Sequence, residues 1–291
     1  MSDGHGLGYL PDVPKPDDFD ETTPEVAELL AKTRLAPRVA AAAPGAAPAA
    51  VAPPPPVADL RAWFSAVETQ GDLGSCTANA AAGLLEYFER RASGKYVDAS
   101  RLFLYKAARD LLGWHGDTGA YLRSAMQAMV LFGAPPERYW PYDVAVYDTD
   151  PPPFCYAFAS NYKAVKYFRL DPVGLDPAAT LAAIKAYLAA GYPSMFGFPV
   201  YPEYDNPLPG GLIAYPAGSG FRGGHANVAA GYDDNMVIGG DRGALLVRNS
   251  WGPTWGNAGY GWMSYRYVTQ GLAVDWWSMV SATWVNTGVF K

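Results

Sequence analysis

Gln70-Gly71-Asp72-Leu73-Gly74-Ser75-Cys76-Thr77-Ala78 is the stretch on which the fold turns. A glycine-bearing loop ends here, and a helix begins at a thiol. Apolar residues at Ala80, Ala81, Leu84, Leu85 and Phe88 recur at helical spacing between Thr77 and Arg91. A helix N-terminus carries free N–H groups and partial positive charge. A thiol placed there ionises more easily, and the thiolate is the nucleophile. The competing reading is a small buried hydrophobe, the ordinary fate of a lone cysteine. On this stretch alone both readings stand.

A cysteine nucleophile needs a base. The chain has three histidines. His5 lies in what reads as a flexible tail, and His115 in an exposed loop, Gly113-Trp114-His115-Gly116-Asp117. His225 follows Arg222-Gly223-Gly224 and opens an apolar strand, Ala226-Asn227-Val228-Ala229-Ala230. Elimination favours His225. A third element is Arg248-Asn249-Ser250-Trp251-Gly252. An asparagine amide oxygen can accept from a ring N–H and hold the tautomer. The tryptophan can keep water from that bond. Cys155, after three prolines and between Phe154 and Tyr156, has no helix start beside it and reads as structural.

Working outward, 291 residues suffice for a sizeable core. There is no run of 18 or more apolar residues, so no membrane-spanning helix is expected. Two cysteines make no disulfide framework and suit a reducing compartment. They also exclude a cysteine-built zinc site, and no metal or other cofactor is expected. Met1 to Gly8 lack the basic start and apolar stretch of a secretory signal. Localisation stays open between the cell interior and export by another route.

The net charge is −6, unevenly placed. Residues 1–30 hold eight acidic residues and one base, Lys15. The remaining body is nearly neutral, so no nucleic-acid partner is expected. The acidic run reads either as a solvated tail or as a docking element. Thr22-Thr23-Pro24-Glu25, before Val26, Leu29 and Leu30, predicts a short capped helix. Residues 36–56 include ten alanines and seven prolines and are expected to be extended or disordered. In polyproline form they would reach about 60 Å.

The organisation expected is an acidic N-terminal segment at 1–35, a linker at 36–56 and a body at 57–291. Helices are predicted at 100–112, 121–132 and 177–190. Strands are predicted at 192–200, 225–232, 244–249 and 259–264. Helices first and strands second point to an α+β protein, with a helical half at about 60–160 and a β-rich half at about 161–275.

Taken together, these motifs resemble the papain and cathepsin family of cysteine peptidases. His225 follows Cys76 by 149 residues and Asn249 by 173, near the spacing known for that family. The later asparagine is ascribed to extra length at 201–224 and in a turn at 233–243. By resemblance, Cys76 is the nucleophile, His225 the base, Asn249 its orienting partner and Trp251 the shield. Gln70 matches the oxyanion-hole glutamine. Trp140-Pro141-Tyr142 resembles the family's Tyr-Pro-Tyr. Asp117-Thr118-Gly119-Ala120-Tyr121 resembles its substrate-pairing glycine strip. Gly119, Tyr121, Gly224 and Trp251 are therefore expected to contact substrate, with Met195 a further candidate for the pocket. The family's usual cysteine three residues before the nucleophile is replaced by Leu73, and its partner by Asp117. That double loss resembles a disulfide-free bacterial branch, as does Leu7-Gly8-Tyr9-Leu10-Pro11-Asp12.

The resemblance implies a helical half and a β-barrel-like half with the cleft between them. It implies peptide hydrolysis by a Cys76 thiolate paired with protonated His225. The oxyanion would be held by the Gln70 side chain and the Cys76 N–H, at roughly 3 kcal/mol per donor. Separately from the resemblance, the long Ala/Pro tether and the charge confined to its far end make residues 1 to about 50 a candidate inhibitory pro-segment, lacking the long helical motif of animal and plant relatives. An amidase or acyltransferase using the same residues, and a non-catalytic peptide-binding module, are the alternatives.

Overall fold

A computed structural model describes residues 4–43, 52–162, 166–218 and 220–291. The chain begins with α1 (Pro24–Leu30), α2 (Ala36–Ala42) and a short β1 (Val57–Asp59). Helices α3 (Cys76–Ser93), α4 (Arg101–Asp110), α5 (Leu122–Leu131) and α6 (Pro153–Ala159) follow. Then come β2 (Lys166–Arg169), α7 (Pro177–Ala190), β3 (Ser194–Val200), α8 (Pro202–Asp205) and β4 (Leu212–Ile213). The chain closes with β5 (Gly223–Ile238), β6 (Asp241–Arg248), β7 (Tyr260–Ser264), α9 (Arg266–Thr269), β8 (Val274–Val280) and α10 (Ala282–Asn286).

Helix α3 is the axis of the helical side. Its small residues, Ala78 and Ala80 to Gly83, are buried and let neighbouring elements approach. Helix α4 starts on Ser100, whose hydroxyl accepts from the Phe103 N–H. Helix α7 starts on Asp176 with Pro177 at its first position.

The strands form one sheet in the order β2-β8-β3-β5-β6-β7-β4, with β1 paired to β5. All pairs are antiparallel except β4 with β7. The protein is α+β, with the sheet gathered in the later chain. The sheet is not closed: β2 and β4 end its order. The barrel-like half is therefore an open sheet. The long β5 carries His225 opposite Phe198 of β3. The expected turn at 233–243 is mostly strand, tightened to a hairpin at Gly239 and Gly240.

Three local expectations need correction, and the two readings left open for the acidic run are decided towards docking. The alanine- and proline-rich run is helical over Ala36–Ala42, with Val39 buried. Alanine is the strongest helix former, and Val39 supplies an apolar anchor. Residues 44–51 of that run lie outside the described residues. The Thr23 side chain does not cap α1; its Oγ1 instead accepts from the Asp20 N–H at 3.0 Å. Cys155 lies within α6, buried. The acidic run is not merely solvated. Asp12 and Asp18 pair with Arg123, and Glu21 pairs with Arg38 at 2.7 Å and accepts from the Tyr187 hydroxyl.

Candidate active site

Cys76 is the first residue of α3 and is fully buried, as are Gln70 and His225. His225 Nε2 lies 2.8 Å from Asn249 Oδ1. The other ring nitrogen, Nδ1, is buried without a hydrogen-bond partner. Backbone N–H groups of Gly8, Ala226, Thr77 and Cys76 itself lie near enough to the thiol to favour its thiolate, Ala226 being next to His225. Trp251 lies over the His225 ring, with centroids 4.7 Å apart.

The Gln70 amide is held from both sides. Its Oε1 accepts from Ser250 Oγ at 2.6 Å, and its Nε2 donates to the Leu73 carbonyl at 2.8 Å. Asp117, where a disulfide partner is usual, accepts from the Gly74 N–H at 3.0 Å and from the Tyr105 hydroxyl. A carboxylate hydrogen-bonded to the loop thus stands where a crosslink would be. Both cysteines are free.

Residues 5–10 occupy the cleft. His5 is not in a loose tail but stacks on Trp251, with centroids 4.4 Å apart. The Gly6 carbonyl accepts from Gln70 Nε2 at 3.0 Å. The Gly8 carbonyl accepts from the Ala120 N–H at 2.9 Å, and the Leu10 N–H donates to the Ala120 carbonyl at 3.2 Å. Tyr9 and Ala120 form a parallel bridge. The Tyr9 N–H donates to the Gly224 carbonyl at 3.1 Å. Beyond His5 the cleft continues as a 490 Å³ groove past Leu208 and Trp255.

The backbone pairing expected at Gly119 is made by Ala120. Gly119 has φ +72° and gives its N–H to the Tyr105 hydroxyl. Its own contribution is space, since a side chain there would overlap Gly8. Gly224 and Trp251 contact the segment as described. Tyr121 is half-buried, precedes α5 and packs on Trp114. Met195 is buried in the core. Sequence reasoning missed Ala120 and Ser250. The Asn-Ser-Trp order held a signal for Ser250.

Burial governs the titration of the central pair. The Cys76 thiol is pushed up to about 11 by burial, partly offset by the surrounding N–H groups. His225 is pushed down to about 4 by burial, against the Asn249 hydrogen bond, with His5 adding a smaller push down. With the segment in place, burial pushes both members of the pair towards their neutral forms.

The chain belongs to the papain family: the family model described as papain family cysteine protease matches residues 54–276. It is a papain-like cysteine peptidase. An uncharacterized peptidase C1-like protein of Acanthamoeba polyphaga mimivirus is 34% identical over 223 residues, covering 74% of this chain and 69% of the relative. The crystal structure of xylellain, a cysteine protease from Xylella fastidiosa, matches with TM-score 0.73 and 32% identity over 97% of this chain and 98% of that one. Digestive procathepsin L 3 of Tenebrio molitor larval midgut matches with TM-score 0.62 and 22% identity, over 79% of this chain and 72% of that one. This last is a likeness of fold alone.

Proposed function

We propose that the chain is a latent cysteine peptidase acting through Cys76, His225, Asn249 and Gln70, with residues 5–10 as its own inhibitory segment. The observation carrying this reading is the Gly6 carbonyl seated on Gln70 Nε2 at 3.0 Å, with Gly8 and Leu10 paired to Ala120 and Tyr9 to Gly224 along the cleft. A substrate needs its scissile carbonyl oxygen at that same Gln70 donor. The segment's own backbone therefore takes the place a substrate would occupy. It fills the cleft without being cut.

Once the segment leaves, water reaches the pair and the desolvation that holds both groups neutral is relieved. The sulfur then bonds the scissile carbon as its proton passes to His225. The oxyanion rests on Gln70 Nε2 and the Cys76 N–H. The C–N bond breaks as His225 returns the proton to the leaving amine. Water adds to the thioester, giving its proton to His225. The C–S bond then breaks, and His225 returns the proton to the sulfur. Asn249 keeps the ring oriented throughout.

The test is deletion of residues 1–10, assayed on a dipeptidyl fluorogenic amide. An intramolecular occupant acts at millimolar effective concentration, so a rise of about tenfold or more is expected. Turnover should vanish in Cys76→Ala. Unchanged activity on deletion would reduce the segment to a tail, and cleavage by the alanine variant would sink the nucleophile assignment.

A further inference from the structure

Gly8 threads between Gly74 and Gly119. A side chain on Gly8 would overlap the Gly74 carbonyl, and one on Gly119 would overlap the Gly8 carbonyl. Peptide backbone in this part of the cleft therefore runs between two glycines. Gly74 belongs to the loop that leads into Cys76, whose N–H is an oxyanion donor. Gly119 precedes Ala120, whose N–H and carbonyl pair with the segment's backbone. The gap between these two walls decides whether a peptide paired to Ala120 presents its carbonyl to the oxyanion donors.

The two walls are tied together by side chains. Asp117 Oδ1 and Oδ2 accept from the Gly74 N–H at 3.0 and 3.2 Å. Oδ1 also accepts from the Tyr105 hydroxyl. The Tyr105 oxygen in turn accepts from the Gly119 N–H at 3.0 Å. Tyr105 sits in α4 and is fully buried. Arg109 fixes it: the guanidinium lies 4.2 Å from the ring centroid, and Nε donates to the Tyr105 carbonyl at 3.3 Å. Arg109 is itself paired with Asp148 at 2.7 Å. Burial and the adjacent Asp117 carboxylate raise the Tyr105 phenol far above its usual value, so it stays a donor to Asp117. Asp117 lies at the solvent edge, but Gly74 and Tyr105, whose groups it joins, are buried. A buried N–H left without a partner is costly, which keeps this chain of bonds closed.

We propose that Tyr105 and Asp117 are positioning residues of the peptidase, setting the distance between the substrate strip at Gly119 and Ala120 and the oxyanion donor on Cys76. The inference rests on the peptidase reading above. Neither residue touches the reacting atoms. They act as one unit, because Tyr105 reaches Gly74 only through Asp117. Removing the carboxylate releases Gly74, and removing the hydroxyl releases Gly119, so either cut opens the same link. A misplacement of about an ångström at a reacting centre costs on the order of a hundredfold in rate. The Gln70 amide is aimed separately, by Ser250. The loss therefore falls on the Cys76 donor and on the register of the peptide.

The test divides turnover of a dipeptidyl fluorogenic amide by the rate at which an epoxide thiol inhibitor labels Cys76. It is run on the full chain and, in parallel, on protein lacking residues 1–10. Opening of the segment scales both rates alike, so their ratio reports the aim at the carbonyl. Tyr105→Phe keeps the ring under Arg109, and Asp117→Ala removes a side chain at the solvent edge, so both variants should fold. Expected is a ratio lower by about tenfold in each, and no lower in the double variant. Asp117→Asn keeps the Oδ1 acceptor and should recover part of what Asp117→Ala loses. An unchanged ratio in either single variant, or losses that multiply in the double variant, would keep the peptidase and overturn this assignment. Labelled Cys76 without turnover by the parent protein would overturn the peptidase reading, and this inference with it.

Discussion

Ser250 donates its hydroxyl hydrogen to Gln70 Oε1 at 2.6 Å, so a residue beside the orienting asparagine also aims the glutamine amide. The same two residues are joined through backbone, the Gln70 N–H donating to the Ser250 carbonyl at 2.8 Å. The loop before α3 and the loop after β6 are therefore one unit. A donor meant for developing charge works only if it is held before the charge appears.

Ser250→Ala should loosen that aim while leaving the pocket walls intact. In protein lacking residues 1–10, kcat is expected to fall by about five- to tenfold, the equivalent of one hydrogen bond of ~1 kcal/mol. KM should hardly change, because the lost stabilisation belongs to the transition state. A rise in KM at constant kcat would place Ser250 in substrate binding instead.

Arg123 is the latch on the segment's far side. It pairs with Asp12 at 2.5 Å and with Asp18, which is itself buried against Arg169. Removing one partner of a buried pair leaves the other uncompensated, typically at a cost of several kcal/mol. Asp18→Asn in the full chain should therefore raise basal turnover and the rate of Cys76 labelling. Labelling no faster than in the parent chain would mean that residues 5–10 hold the cleft without the latch.

Thiol reactivity should report the seal directly. In the full chain the Cys76 thiol is raised to about 11, so alkylation at pH 7 should be slow and climb steeply above pH 9. His225, lowered to about 4, stays neutral across that range and offers the sulfur no cation. Deleting residues 1–10 should move the reactivity profile to lower pH. Identical profiles in the two proteins would show that the segment does not set the thiol's environment.

Stability should also carry a pH signature. Burial raises Glu68, Glu86 and Asp275 to about 7 each. A carboxyl whose folded pKa lies above its unfolded value holds more proton in the native state. Its contribution is present below the unfolded value and is lost as pH rises through 7. His225 acts oppositely, contributing above 6.5 and losing that contribution as pH falls towards 4. Between pH 5 and 7 the three carboxyls outnumber the one imidazole, so Tm is expected to be higher at pH 5. Glu86→Gln keeps the acceptor that Glu86 Oε1 offers the Ala99 N–H and removes one titration. The Tm gap between pH 5 and 7 should narrow in this variant, as thermal melts in matched buffers would show. An unaltered gap would mean that Glu86 does not drive it.

The Cys76, His225 and Asn249 candidates could be picked out because each sits in a short local signal, whereas Gln70 entered only through the family resemblance. Helical spacing begins at the cysteine, a strand opens at the histidine, and Asn-Ser-Trp-Gly marks a turn. Such signals depend on neighbours a few residues away, which sequence displays. Helices α4, α5 and α7 and strands β3, β6 and β7 were legible for the same reason. Composition misled where it was read as disorder. The alanine run folded as α2 because Val39 found a place in the core.

Other contacts lie between residues far apart in the chain. His5 reaches Trp251, Tyr9 pairs with Ala120, and Asp12 and Asp18 reach Arg123. No periodicity announces such contacts. They depend on close approach at Gly119 and Gly197, and on partners that become neighbours only when the helical side and the sheet have met. Residue type and local pattern along the chain show which groups could do chemistry. The tertiary structure decided that the chain's own residues 5–10 occupy the cleft. An extended backbone can satisfy its hydrogen bonds wherever a cleft offers matching N–H and carbonyl groups, and that match exists only in the folded chain.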